Sequence, residues 1–587
     1  MIGVNFRRFV PLQASRHFDV MRPTAPPLKK APSTPSRLGT LVLALSLAWP
    51  AALPAPAAAQ VNLPALGDSV SADFGIGAEK RLGDQVMREI RVDPDYLDDP
   101  ILLDYLNTIW HRLVEASLKK GNITPDMNER YAWEPFLVRD RTFNAFALPG
   151  GYIGVNLGLI QMTTNQDELA SVLAHELSHI TQRHIARGMV NSQRQSLLSM
   201  AAMIIGLIAA ASSRSADGAN AVIAGSQAAG IQGQLNFSRD VEREADRVGY
   251  GVLTAAGFAP WGMAAMFEKL DATARLTDSN NYPYLRTHPL TTERIGEAFS
   301  RMGPASAQRG DFKPTGSALE HAVMQARARV LMDGRVESLQ RLQRLDTAND
   351  AEVESATAPL PVPPSLAASA AALPTSSPVA LRLIALCSSA MASAALRDPA
   401  RSDAAMQRAL ALVQSTPRSD ARAVRAVKLV QAQILIDRDD DMRAVEVLQP
   451  YAGDGTRAVS IMRAEIALDP KQRDSQALGR SAEDLQTRVA NTPLDATAWL
   501  LLSRLDDRLG QPLRSLRAQA EARYALGDLS GAIDRLRAGR LAGRAGGTPD
   551  FIEASVIEAR LRDIETQRKQ LAAEMRGGRG GSDDAPP

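Results

Sequence analysis

The residues best placed to do chemistry lie in Glu168-Leu-Ala-Ser-Val-Leu-Ala-His175-Glu176-Leu-Ser-His179. Two histidines four positions apart sit one turn apart on the same face of a helix, so both imidazoles can reach one divalent ion. Glu176, next to the first of them, is placed to take a proton from a water held by that ion, which is the chemistry of zinc-dependent hydrolysis. With seven His in 587 residues, a chance His-Glu-x-x-His arises in about one such chain per few hundred. The flanking Leu173, Ala174 and Leu177 mark a buried helix, where His and Glu without partners would be costly.

A hydrolytic zinc needs a third protein ligand and an open fourth position. A third His six residues after His179, preceded by a Gly at the third, is excluded because Ile185 and Gln182 stand there. His184, five residues on, would lie about 140° from the ligand face of a continuing helix and reads as a packing or hydrogen-bonding histidine. The alternative is a carboxylate from a later helix, and Ser238-Arg-Asp-Val-Glu242-Arg-Glu-Ala-Asp246 supplies one. Glu242 and Asp246 share a helix face, so Glu242 can complete the ligand set while Asp246 accepts the far N–H of a ligand His. Arg243 and Glu244 read as an exposed, charge-laced face.

Several elements must hold these residues in place. Residues 74–120 carry apolar positions at helical spacing and predict two helices; Trp133–Val138 predicts a strand. Asn144–Val155 predicts two short strands around the Pro149-Gly150-Gly151 turn. From Asp167 onward the pattern is helical. Residues 346–377 are rich in Pro, Ala and Ser and predict a linker. Residues 378–575 are dominated by Ala, Leu and Arg at helical spacing. Within them, Leu509-Gly510 and Leu526-Gly527 close helices, each Gly followed five residues later by a small residue (Ser515, Ala532). That grammar predicts a tetratricopeptide-like solenoid with a protein-binding concave face.

The ends and the composition add context. Residues 1–59 read as an export signal: Lys29, Lys30 and Arg37 precede an apolar run, and Ala57–Ala59 offer a cleavage site; Met21 is an alternative start. A periplasmic or secreted chain follows from it. Seven basic residues and one acid fall in that segment, so the +2 of the whole chain becomes −4 without it. A mildly acidic body carries no electrostatic footprint for nucleic acid. The lone Cys387 excludes a disulfide within the chain and any Cys-based metal cluster. The apolar stretch Leu197–Ala211 is short for a membrane span and reads as a buried hairpin or a peripheral membrane contact. Residues 576–587 predict a disordered tail.

Asn144-Ala-Phe-Ala-Leu-Pro-Gly-Gly, His175-Glu-Leu-Ser-His179 and Glu242-Arg-Glu-Ala-Asp246 together resemble the three signatures of the M48 metallopeptidases. Signal, catalytic domain and helical C-terminal half are similar in arrangement to the periplasmic members of that family. The resemblance implies a mainly α chain: an α+β zincin-like (gluzincin) peptidase domain at 60–310, connecting helices at 311–345, and the repeat domain at 378–575. It implies one Zn²⁺ held by His175, His179 and Glu242, with Glu176 as general base. It implies that the strands starting Asn144, Ala145, Phe146 form the edge to which an extended protein substrate adds. Arg286-Thr-His288 matches the family's Thr-His-Pro segment. His288 would then gate the zinc or stabilise the oxyanion, with Arg294 contributing. Misassembled envelope or outer-membrane proteins are the substrates this architecture suggests, with the outer-membrane assembly machinery as partner. The alternative is a chaperone or assembly scaffold with a mostly latent peptidase site; a small-molecule hydrolase is disfavoured by the solenoid and the edge strand.

Overall fold

The computed structural model describes residues 74–190, 239–276, 283–303, 314–357, 376–416, 420–471, 474–545 and 550–577. The export signal, the apolar stretch 197–211, most of the linker and nearly all of the tail lie outside the described residues.

The N-terminal half begins with α1 (Ile76–Ile90) and, after the short β1 (Tyr96–Leu97), α2 (Pro100–Lys119). The latter starts sharply because Asp99 accepts from the Leu102 N–H and Pro100 occupies the first turn. A short α3 (Pro125–Arg130) leads to β2 (Glu134–Val138), β3 (Ala145–Leu148) and β4 (Tyr152–Asn156). The sheet order is β1-β2-β4-β3: β2 runs parallel to β4, β3 antiparallel to it, and β3 lies at an edge. The turn between β3 and β4 needs two successive left-handed residues, and Gly150 (φ 78°) and Gly151 (φ 88°) provide them.

Below the sheet lie α4 (Leu157–Met162) and α5 (Gln166–Thr181), whose residues are all buried. Asn165 caps α5 by accepting from the Asp167 and Glu168 N–H groups at 3.0 and 3.1 Å. Then come α6 (His184–Val190), α7 (Arg239–Ala255), α8 (Trp261–Leu276), α9 (Pro283–Thr287), α10 (Thr292–Met302), α11 (Ala318–Met332) and α12 (Val336–Gln343).

The stretch expected as a linker opens with a packed helix, α13 (Asp350–Thr357), whose Val353 joins Leu345 and Ala385 in a small core. The helical half consists, among the described residues, of α14 (Pro378–Ala395), α15 (Pro399–Gln414), α16 (Ala421–Asp437), α17 (Asp441–Leu448), α18 (Arg457–Ala467), α19 (Ser475–Asn491), α20 (Ala496–Arg508), α21 (Pro512–Ala525), α22 (Leu529–Ala545) and α23 (Phe551–Gly577). Each packs on the next in sequence, so they form one continuous stack. Helix α14 is long and apolar enough to cross a membrane by length and composition, yet two-thirds of it is buried against other helices.

The stack curls around the N-terminal half. Helices α14 and α16 pack on α11, and α18 packs on α2, so one apolar core runs from Leu97 to Ile466. Buried polar groups tie the same junction. Asp98 pairs with Arg457 at 2.7 Å and accepts from the Thr497 hydroxyl at 2.9 Å, while Arg91 donates to the Ala525 carbonyl at 3.3 Å.

Candidate active site

Helix α5 presents His175 and His179 one turn apart, with their Nε2 atoms 3.1 Å from each other. Helix α7 crosses against it where Gly249 faces the backbone of Ala174 and His175; a Cβ there would lie 3.0 Å from the Ala174 carbonyl oxygen. This close approach brings Glu242 to the histidines. Its Oε2 is 3.5 Å from His175 Nε2 and its Oε1 3.6 Å from His179 Nε2. Asp246, one turn further along α7, lies 3.0 Å from His175 Nδ1 on the far side of that ring. His288, between α9 and α10, completes the group: its Nδ1 is 3.0 Å from Glu242 Oε1 and 3.4 Å from His175 Nε2. The Tyr284 ring lies against it, with centroids 4.7 Å apart.

Four donor atoms from His175, His179, Glu242 and His288, all buried, thus fall within 4.8 Å of one another. A tetrahedral ion with bonds of about 2.0–2.1 Å needs donors separated by about 3.3–3.4 Å. The spacings of 3.0–3.6 Å, taken over both Glu242 oxygens, lie near that requirement. The electrostatics fit as well. Burial alone would depress the proton affinity of His175, but Asp246 and Glu242 outweigh it and push the pKa up to about 10. Glu242 is held well below the carboxylate range, against its burial, by His288 and His175. His179 is pushed down by burial and by His175, which keeps it neutral as a ligand must be. The pocket therefore favours positive charge at its centre.

Glu176 points into the same space, with Oε1 3.5 Å from His288 Nε2 and Oε2 accepting from the Ala147 N–H at 3.1 Å. Burial raises its pKa, which makes it a stronger base than an ordinary carboxylate. The bond to Ala147 shows which way β3 faces. The Asn156 N–H donates to the Asn144 carbonyl at 3.1 Å, so by antiparallel alternation Asn144 and Phe146 pair inward. Ala145 and Ala147 direct their backbone groups away from β4, to the side on which no described strand pairs. Asn144 and Ala145 are buried and Phe146 is half-buried.

Every residue of this cluster falls within residues 107–301, the span that matches Peptidase family M48. The chain carries an M48 peptidase domain. It is 38% identical over 251 residues to a putative β-barrel assembly-enhancing protease of Vibrio cholerae, covering 42% of this chain and 49% of that relative. The β-barrel assembly-enhancing protease of Escherichia coli is 35% identical over 264 residues, covering 45% and 51%. The yeast mitochondrial metalloendopeptidase OMA1 is 30% identical over 200 residues, covering 32% of this chain and 53% of its own length. The chain spans about half the length of the curated relatives it matches.

The M48 domain also holds residues whose part in the site differs from the sequence reading. Helix α5 stops at Thr181, and Arg183 adopts a left-handed conformation (φ 53°), so α6 starts in a new direction. The 140° offset expected for His184 assumed an unbroken helix. His184 is the hydrogen-bonding histidine expected, but it turns back onto the site, its Nδ1 2.9 Å from His179 Nδ1. Glu244, expected on an exposed face, is three-quarters buried and bonds to His184 and Arg187. Arg243 is half-buried and pairs with Asp240 and Glu293. Arg294 contributes more than the sequence suggested. It binds both oxygens of Asp246 (2.7 and 2.8 Å), reaches Glu242 Oε2 at 2.9 Å and donates to the Pro289 carbonyl at 2.7 Å.

Proposed function

We propose that this chain is a zinc-dependent endopeptidase of the bacterial envelope, in the gluzincin manner, described here in a shut state. The single observation that carries the reading is the convergence of His175, His179 and Glu242 from two helices, with the Glu176 carboxylate and the edge strand β3 beside them. When bound, zinc would acidify a water and polarise the scissile carbonyl. Glu176 takes the proton of that water and passes it to the leaving amine. Ala145 and Ala147 pair with an extended peptide laid along β3, and the peptide takes over the Ala147 N–H that Glu176 now accepts. Asp246 holds the His175 ring from behind, and Arg294 holds Asp246 and Glu242.

His288 stands at the fourth donor position, where the water must enter, so it gates the site and must swing away for turnover. The names of the relatives support misassembled outer-membrane proteins as substrates. The Ala/Leu/Arg-rich stack, read as tetratricopeptide-like, would select those proteins or their assembly machinery, and the export signal would deliver the chain to the periplasm.

Two substitutions test the reading, with metal content and casein degradation measured together. Glu176→Gln should retain zinc and lose proteolysis by about 10³-fold or more. His288→Ala should retain zinc and degrade casein faster than wild type. A Glu176→Gln variant with full activity rejects the mechanism, and a slower His288→Ala variant rejects the gate.

A further inference from the structure

The backs of the two ligand histidines are held differently. His175 Nδ1 faces a carboxylate, Asp246, whereas His179 Nδ1 faces a second imidazole, His184, at 2.9 Å. The far nitrogen of His184, Nε2, lies 3.1 Å from Glu244 Oε2, and the same oxygen takes a 2.9 Å bond from Arg187 Nη1. The His184 side chain is fully buried, so each of its nitrogens must be satisfied within the protein.

We propose that His184 and Glu244 are positioning residues for the metal, fixing the tautomer and plane of His179. This rests on the metallopeptidase reading above. Two ring nitrogens at 2.9 Å share one proton, so one donates and the other accepts. A ligand His179 offers its Nε2 lone pair to the ion, which leaves its proton on Nδ1 and makes His184 Nδ1 the acceptor. The proton of His184 then resides on Nε2 and is donated to Glu244, an acceptor only. His179, His184 and Glu244 thus align their hydrogen bonds in one sense, Arg187 donates to the same Glu244 oxygen from the other side, and the line begins at a lone pair on His179 facing the cluster. With both rings neutral, the reverse arrangement would set an unprotonated His184 Nε2 against the Glu244 carboxylate.

The turn that makes this possible is itself anchored. Arg183, in its left-handed conformation, is buried and donates to Glu79 Oε2 at 2.9 Å and to the Phe74 carbonyl. That ion pair offsets the cost of a non-glycine residue at positive φ. It redirects α6 so that His184 returns over His179, and the two rings stand 4.9 Å apart at 76°.

The test is zinc affinity of the full chain by chelator competition at neutral pH, with the visible spectrum of the cobalt(II)-substituted protein as a second readout. His184→Leu keeps the volume but removes the acceptor; Glu244→Met removes the acceptor for His184. Each should weaken zinc binding by about 10–100-fold and alter the cobalt spectrum. His184→Asn places an oxygen where Nδ1 stands and should bind within about threefold of wild type, a rescue that a space-filling role would not give. Because Glu244 is partly exposed, its variant keeps the test open if His184→Leu does not fold. Zinc binding within threefold of wild type in folded His184→Leu or Glu244→Met overturns the proposal alone. A wild-type chain that takes up no divalent metal overturns the metallopeptidase reading and this proposal with it.

Discussion

At the scale of single residues, Arg294 has three partners to lose, Asp246, Glu242 and the Pro289 carbonyl. Its fork spans Asp246 and Glu242 and ends on the backbone just after His288. Lysine keeps the charge but cannot make a bidentate contact, and methionine leaves two buried carboxylates without their cation. Arg294→Met should therefore cost about 3–5 kcal/mol of stability, and Arg294→Lys about tenfold in metal affinity, read by denaturant unfolding and chelator competition. A methionine variant as stable as wild type would show that the histidines alone neutralise the pair. Much of the site was legible at this scale. His175, Glu176, His179, Glu242 and Asp246 are residue types with few other reasons to be buried at those spacings. That His184 bonds to His179 was not legible, because its position depends on a turn at Arg183, and arginine gives no sequence signal for positive φ. Glu244 was hidden with it, since its partner was assigned to the wrong direction.

At the scale of elements, the site depends on how closely α7 lies on α5. Gly249 is seven residues from Glu242 and three from Asp246, on the face of α7 that meets Ala174 and His175. Gly249→Val should force the helices apart, carry both carboxylates off the histidines and abolish metal binding while leaving overall helicity intact. Metal analysis beside circular dichroism reads this, and normal metal content would mean α7 can tilt without loss. The strands were legible from the Pro149-Gly150-Gly151 turn. That Phe146 pairs inward while Ala145 and Ala147 face outward was not, because side-chain pattern alone does not give hydrogen-bond phase.

At the scale of the molecule, apolar periodicity predicted helices in the second half but could not say what they bury against. They bury largely against one another, and α14, α16 and α18 bury against α2 and α11 as well. Helix α11 is pinned there by His321, whose ring meets Tyr105 Oη at 2.6 Å and the Thr163 carbonyl at 2.9 Å. Burial pushes the pKa of His321 down to about 4 from 6.5. The unfolded chain protonates this ring first, so its contribution is intact above pH 6.5 and is lost as pH falls toward 4. The loss amounts to about 3 kcal/mol at most. His321→Gln should flatten that part of the stability–pH curve in urea unfolding; an unchanged curve would place the acid sensitivity elsewhere. A chain ending at residue 345 should precipitate, because the faces of α2 and α11 that receive α14, α16 and α18 would be open to water. A soluble, folded 60–345 fragment would contradict this.

The common core bears on genetics. Alleles that abolish proteolysis should map not only beside the histidines but also to positions such as Ile434, Met462 and Arg457, far along the chain. Those distant alleles should be heat-sensitive and recover at low temperature, whereas lesions at Glu176 stay dead at every temperature.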